Sequence, residues 1–117
     1  MTTTYDRQDA QKLVPLLDAI FREVAERRHE ARLLEKQLVR EKREGASAET
    51  LLGLRARLAS HRRELRLARK EFERLGCTVD DHNPNRVFIA GPIGERSFRW
   101  DAGDESVHRL AKGANAQ

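Results

Sequence analysis

The chain has 117 residues and a formal net charge of +4, and charged side chains occupy 36% of its positions whereas aromatic side chains occupy only 5%. This length allows one domain, and the composition is typical of long solvated helices rather than of a compact enzyme, whose pocket needs more apolar wall. One cysteine excludes an internal disulfide. The polar opening lacks signal-peptide character, and no apolar run approaches the about 18 residues of a membrane span, so we expect a cytosolic protein. We expect it to hold no metal and no cofactor.

The first predicted element is a long helix over residues 5–44. Asp6 is a suitable N-cap, and Asp9 suits the positive end of the helix dipole. Pro15 lies about two turns inside, where its missing N–H and its clash with the preceding turn predict a kink after a short N-terminal segment. Residues that recur at alternating spacings of three and four predict one narrow seam along this helix: Leu13, Leu17, Ile20, Val24, Arg27, Ala31, Leu34 and Leu38.

A second helix is predicted over residues 47–75. Ser47 is a good N-cap, and Gly76 suits the left-handed turn that ends a helix. Its seam has the same rhythm: Leu51, Leu54, Leu58, His61, Leu65, Ala68, Phe72 and Leu75. Two such seams joined by a short turn predict an antiparallel, coiled-coil-like hairpin. Pairing about the turn places Leu38 opposite Leu54, Leu34 opposite Leu58, Ile20 opposite Phe72 and Leu17 opposite Leu75.

Two polar residues interrupt the seams, and they fall one layer apart in this register. Arg27 lies near Leu65, and His61 lies near Ala31. One interpretation is that the two residues fix the register, as a buried polar residue does in many coiled coils. The alternative is that Arg27 and His61 form a site for a ligand or partner.

Residues 77–110 change to short β-prone pieces separated by turn residues. Strands are predicted at 77–79, 86–89, 96–100 and 106–110, with a turn at 91–94. This small meander should pack against the hairpin base near Leu16, Leu17, Phe72 and Leu75, because neither part hides its apolar face alone. The fold class is therefore mainly α, with residues 1–110 as a single domain and 111–117 as a disordered tail.

Motifs at the base of the hairpin and in the segment after it form a recognisable set. They are an aromatic residue, a cap, an acidic-Ala pair, Leu and Pro at the start, then Leu-Gly, Val and Asp, and finally Trp and Gly-Asp: Tyr5, Asp6, Asp9-Ala10, Leu13, Pro15, Leu75-Gly76, Val79, Asp80 or Asp81, Trp100 and Gly103-Asp104. This set resembles a bacterial family of uncharacterised proteins, domain of unknown function 2203. The resemblance covers most of residues 5–110 and supports the predicted fold. It implies no activity, because the family has none that is established.

Basic side chains dominate the second helix, and they raise the hypothesis of sequence-independent nucleic-acid binding. Acidic residues of both helices are available to pair with them, which would leave an ordinary solvated face. Stacking aromatics are absent from the exposed part of this helix, so base reading is not indicated. The candidate nucleic-acid-binding residues are Arg55, Arg62, Arg63, Arg66, Arg69 and Lys70.

Three other features suggest chemistry only weakly. Cys77 follows a helix C-terminus, where a thiolate is disfavoured, so we expect it to pack. His82 beside Asp80 and Asp81 is explained by a surface turn without a metal. The stretch 91–95 lacks the Gly-Lys-Ser/Thr ending of a phosphate loop and is expected to be a turn.

Trp100 and the apolar residues outside the seams are the remaining candidates for contact with a partner. A lone Trp in a small domain either packs in the core or stands exposed as an anchor. We expect a non-enzymatic interaction or scaffold module that forms a homodimer through outward apolar residues: Leu16, Phe21, Leu33, Val39, Leu52 and Leu67. An enzyme is the third hypothesis, with Glu95 and either Asp101 or Asp104 as acid and base.

Overall fold

The structure, a computed structural model, describes residues 4–111 and confirms the predicted fold class. It is mainly helical, and two long helices that pack against each other are followed by a small antiparallel sheet. The elements are α1 (Arg7–Lys12), α2 (Val14–Arg43), α3 (Ala48–Arg74), β1 (Cys77–Val79), β2 (Arg86–Gly91), β3 (Gly94–Asp101) and β4 (His108–Arg109).

The start of the helical region has the cap and the break that the sequence predicts. Asp6 caps α1, and its carboxylate accepts a hydrogen bond of 2.7 Å from the backbone N–H of Asp9. The helix is interrupted at Leu13, two residues before Pro15, because proline has no N–H to continue the ladder of hydrogen bonds. The predicted single helix over 5–44 is therefore two helices, of which α1 is the short N-terminal segment.

The turn between α2 and α3 and the end of α3 also follow local sequence signals. Gly45 has a φ of 78°, which a glycine adopts without steric cost. The hydroxyl of Ser47 accepts a hydrogen bond of 3.1 Å from the backbone N–H of Thr50 and caps α3. Gly76, with a φ of 76°, follows the last turn of α3 in the left-handed conformation.

The chain divides into two compact units. The hairpin unit comprises residues 22–68, and the sheet unit comprises residues 4–21 and 69–111 of the part that the structure describes. In the hairpin unit α2 and α3 run antiparallel around a small buried cluster. Its members confirm the predicted register over this stretch: Ala31, Leu34, Leu54 and Leu58, with Leu38 partly buried beside them.

In the sheet unit four antiparallel strands lie in the order β1-β2-β3-β4, which is the predicted meander. The pairings Val87 with Trp100 and Ile89 with Phe98 set four large side chains on one face of the sheet. This face packs against the ends of the helices, and the predicted neighbours Leu17 and Phe72 are buried there. The core comprises Ala10, Leu17, Phe21, Phe72, Cys77, Val87, Ile89, Phe98, Trp100 and Val107.

Two predictions about apolar residues of α2 were wrong. Leu16 was expected both near the sheet and among the outward apolar residues. It is 43% exposed, which confirms only the outward position, because it is rotated about 100° from buried Leu17. Phe21 was expected to face outward, but it is only 6% exposed. Its ring contacts those of Phe72 and Trp100, with centroid distances of 5.2 and 5.4 Å. The face of α2 that carries Phe21 lies outside the seam, and residues of the sheet cover it.

A close backbone approach fixes the hairpin between β2 and β3. The backbone N–H of Tyr5 donates to the carbonyl of Ala90 at 2.9 Å. A Cβ on Gly91 would lie 2.7 Å from the ring of Phe98 and 2.9 Å from the carbonyl oxygen of Tyr5, so only glycine fits here. Of the predicted disordered tail, residues 112–117 lie outside the described residues.

Candidate functional site

An ion pair between the two long helices shows which of their faces lie side by side. The guanidinium of Arg62 on α3 donates to the carboxylate of Glu35 on α2 at 3.2 Å. Residues three, four or seven positions away along a helix share one face. The basic neighbours of Glu35 on its face are Arg28, Arg32 and Lys42, and those of Arg62 in this unit are Arg55 and Arg66.

The contact therefore gathers basic side chains from both helices along one side of the hairpin unit. We call this side the basic flank and define it by Arg28, Arg32, Lys42, Arg55, Arg62 and Arg66. Glu35 lies among them and neutralises part of their charge. The guanidinium and ammonium groups of four members have no ion pair within 4.0 Å in the part of the chain that the structure describes: Arg32, Lys42, Arg55 and Arg66.

Acidic residues occupy the opposite side of the same unit. Glu23, Glu26, Glu30 and Glu41 share one face of α2 by their spacings of three, seven and eighteen residues. This face lies across the seam of α2 from Glu35. Glu64 lies on the corresponding side of α3, where Arg57 accompanies it. These five glutamates define the acidic flank. The hairpin unit thus has opposite charges on opposite sides.

The remaining residues of the predicted nucleic-acid set differ in their environment. Arg63 is exposed and lies one position from Arg62, about 100° around the helix. Arg69 and Lys70 belong to the sheet unit and are exposed there. Arg69 lies 3.6 Å from the carboxylate of Asp81. The structure therefore brings three of the six predicted residues onto the basic flank: Arg55, Arg62 and Arg66.

The two polar seam residues are in contact. A terminal nitrogen of Arg27 lies 3.5 Å from Nδ1 of His61, and Nε of Arg27 donates to Glu23 at 3.2 Å. Arginine has only donors, so the first contact is a hydrogen bond only when Nδ1 of His61 is unprotonated. Both side chains are partly exposed. They form a polar layer that opens toward the acidic flank.

Exposed apolar residues of the same long helix lie on different sides of that helix or far apart along it. On ideal helices Leu33 and Val39 point about 120° apart, and Leu52 and Leu67 are separated by about 22 Å along the axis. Each is individually exposed, with Leu52 the most at 66%. Scattered leucines are normal on a solvated helix. The outward positions predicted for these four residues are confirmed, and the homodimer stays a prediction.

Trp100 belongs to the core and offers no side-chain surface to a partner. It is 0% exposed, and its indole N–H donates to the backbone carbonyl of Asp104 at 2.9 Å. A buried Trp needs apolar neighbours around its ring and a partner for its N–H, and Trp100 has both. The structure therefore shows the core-packing alternative. The exposed-anchor alternative for Trp100 was wrong.

Cys77 and His82 lie in structural settings. Burial raises the pKa of the Cys77 thiol to about 12, and the side chain packs in the core of the sheet unit. The thiolate needed for nucleophilic chemistry is therefore disfavoured. The backbone N–H of His82 donates to the carboxylate of Asp80 at 2.9 Å, which closes the loop as an Asx turn. Within residues 4–111 no three His, Cys, Asp or Glu side chains are grouped to hold a metal.

The carboxylates that were considered as an acid–base pair either lie far apart or are in contact with a basic side chain. Glu95 and Asp101 are six positions apart on β3, about 20 Å along an extended strand. Asp101 accepts a hydrogen bond of 2.8 Å from Arg86, and this contact holds the pKa of Asp101 below its usual value. Asp104 lies 3.2 Å from Nε2 of His108. These contacts tie together the end of the sheet.

Sequence reasoning missed the segregation of charge on the hairpin. It weighed the basic residues of α3 against all acidic residues of α2 and did not sort the charges of α2 by face. The spacing of Glu23, Glu30 and Glu41 was the available signal.

Neither long helix, nor any other helix in the described part of the chain, has an apolar stretch that could span a membrane.

The comparisons with known proteins identify the family. A family model described as an uncharacterised conserved protein, DUF2203, matches residues 3–115. The chain belongs to this family, and the resemblance seen in the sequence is confirmed. No curated protein and no solved structure matches the chain at a significant level.

Proposed function

We propose that the chain is a binding module whose basic flank holds the backbone of a nucleic acid without reading its sequence. The observation that carries this proposal is the contact between Glu35 and Arg62, since it shows that the basic faces of α2 and α3 lie side by side. A ligand with closely spaced negative charges would be attracted along this flank. The proposal assigns the chain no catalysis.

The dimensions of the basic flank suit a phosphate backbone. From Arg55 to Arg66 the flank extends about 16 Å along α3, at about 1.5 Å per residue. This length corresponds to about five base pairs of duplex at about 3.4 Å each. The four unpaired basic side chains would contact up to about four phosphates, which predicts a slope near −3.6 for the logarithm of affinity against the logarithm of salt concentration.

Binding of this kind would be insensitive to base sequence. Residues 22–68 contain no Phe, Tyr or Trp on which a base would stack. Their basic side chains are suited to phosphate contacts, which position a protein on a duplex but carry no sequence information. We therefore expect two duplexes of unrelated sequence and equal length to bind equally well.

The test is a fluorescence-anisotropy titration of labelled duplexes at several salt concentrations. The double substitution Arg55→Gln with Arg66→Gln should weaken binding about tenfold or more and reduce the salt slope by about two. Arg57→Gln is the matched control, because Arg57 is an exposed arginine of the same helix on the opposite side. Equal losses in both variants, or binding that does not weaken with salt, would overturn the proposal.

Self-association is a second candidate, and the acidic flank favours it. The acidic flank of one copy is complementary in charge to the basic flank of another. Because the two flanks lie on opposite sides, such a contact is heterologous and would build rings or open stacks rather than close as a twofold dimer. Arg27 and His61 lie beside the acidic flank and would border this contact.

Light scattering after size exclusion, at low and high salt, separates the two candidates. Oligomers at low salt with a protein-like ratio of absorbance at 260 and 280 nm would support self-association. A monomer that elutes with nucleic acid at low salt and without it at high salt would support the first proposal. A monomer free of nucleic acid under all conditions would contradict self-association and leave the anisotropy test to decide the other.

A further inference from the structure

A groove in the sheet unit lies between α1 and the segment that leads into β4. It consists of two cavities of about 660 and 460 Å³, both of which Arg7 and Ser106 line. Gln8, Gln11 and Lys12 complete the first cavity, and Val107, His108 and Arg109 complete the second. Each volume lies within the about 300–1,000 Å³ that is usual for small-molecule sites.

The side chain of Gln11 fixes the two walls of this groove. Its amide nitrogen donates to the carbonyl of Glu105 at 2.8 Å, and its amide oxygen accepts from the backbone N–H of Val107 at 2.9 Å. Val107 itself is buried in the core. The segment 105–107 is therefore held against α1 before any ligand arrives, which lowers the entropic cost of binding.

The chemistry of the groove favours an anion. The residues that line it include Arg7, Lys12, His108 and Arg109 but no Asp or Glu. Lys12 lies 3.7 Å from Asp9, and His108 lies 3.2 Å from Asp104. In the described part of the chain, the side chains of Arg7, Ser106 and Arg109 have no hydrogen bond or ion pair. Two guanidinium groups and one hydroxyl are thus available to a ligand.

We propose that this groove binds the phosphate group of a small phosphorylated molecule. Arg7 and Arg109 supply forks of N–H donors that match phosphate oxygens, and the hydroxyl of Ser106 donates a further hydrogen bond. The cavity beside Gln8 and Lys12 receives the remainder of the molecule. This site lies in the sheet unit and uses none of the residues of the basic flank, so it stands independently of nucleic-acid binding.

Isothermal titration of the full chain with inorganic pyrophosphate tests the site, with citrate as a carboxylate of similar charge. We expect saturable binding of one pyrophosphate per chain that is tighter than binding of citrate. Arg7→Gln and Arg109→Gln should each weaken it about tenfold, the effect of losing one charge-assisted contact. Circular dichroism checks that both variants keep their helical content.

Two control variants separate this groove from the basic residues of the hairpin unit. Arg57→Gln, and the double substitution Arg55→Gln with Arg66→Gln, should leave the affinity for pyrophosphate unchanged. Equal losses in all variants would mean that pyrophosphate binds to general positive charge and would overturn the site. Absence of saturable binding at millimolar pyrophosphate would do the same, and equal affinity for citrate would overturn the assignment to phosphate.

Discussion

Glu35 accepts a hydrogen bond from Arg62 across the two helices of the hairpin unit, at 3.2 Å, and this carboxylate lies among basic side chains. Both side chains of the pair are about half exposed, so the pair contributes little to the free energy of folding, about 0–1 kcal/mol. Its larger effect is on the electrostatic potential of the basic flank. Removal of the negative charge would expose Arg62 to an anionic ligand.

The substitution Glu35→Gln should therefore strengthen nucleic-acid binding while leaving stability nearly unchanged. One additional phosphate contact predicts a salt slope steeper by about one. Anisotropy titrations at several salt concentrations measure this, with Glu26→Gln on the acidic flank as the control of equal charge change. A similar gain in both variants would mean that only net charge matters and that the flank has no particular role.

Leu34→Ala should destabilise the hairpin strongly, because Leu34 is buried in the cluster with Leu54 and Leu58. Truncation of a buried leucine costs about 2–5 kcal/mol in the free energy of unfolding. Urea denaturation followed by circular dichroism measures the loss. The control is Leu52→Ala, the same change at an exposed position of α3, which should stay within about 0.5 kcal/mol. Comparable losses at the two positions would contradict the observed register.

Phe21→Ala should destabilise the sheet unit by about 3–5 kcal/mol, because the ring fills the core between Phe72 and Trp100. The emission of Trp100 should shift to longer wavelength as water enters. Leu16→Ala, at an exposed position of the same helix, is the control and should change neither stability nor emission appreciably. An unshifted emission in Phe21→Ala would argue against the contact between the two aromatic rings.

The pH dependence of stability should reveal the contact between Arg86 and Asp101. The hydrogen bond from Arg86 lowers the pKa of Asp101 from its usual 3.8. The unfolded chain therefore binds a proton more readily than the folded one. The stabilisation is present above about pH 4 and is lost as the pH falls through the lower folded pKa.

Urea midpoints measured from neutral pH to about pH 2 test this contact. Asp101→Asn should lower the midpoint at neutral pH and flatten its dependence on pH below about 4. Asp81→Asn is the control, because its pair with Arg69 is largely exposed. If both variants flatten the dependence of the urea midpoint on pH equally, the contact between Arg86 and Asp101 does not cause that dependence.

Local chemistry made the helices and strands predictable. The cap at Asp6, the break before Pro15, and the turns at Gly45 and Gly76 each depend on the conformational preference of a single residue. The seams predicted the pairing of Leu34 with Leu58 because side chains that recur every three or four residues must share a face.

The candidate site was only partly predictable from the sequence. The arginines of α3 were singled out, but the sequence did not show which of them join the basic residues of α2. The outward position predicted for Phe21 was wrong, and Trp100 was left open between core and exposed anchor, for a related reason. Burial depends on what covers a side chain, and the sheet that covers them comes from residues far along the chain.

The sequence by itself thus determined the secondary structure, the hairpin and its register, since these depend on periodicity and on residues close in the chain. Only the tertiary structure decided which side of each helix adjoins which, and so created the basic flank, the acidic flank and the groove beside α1. Those features depend on contacts between distant residues, such as Glu35 with Arg62 and Gln11 with Val107. No local pattern specifies these contacts, because their geometry exists only after the helices and strands have packed.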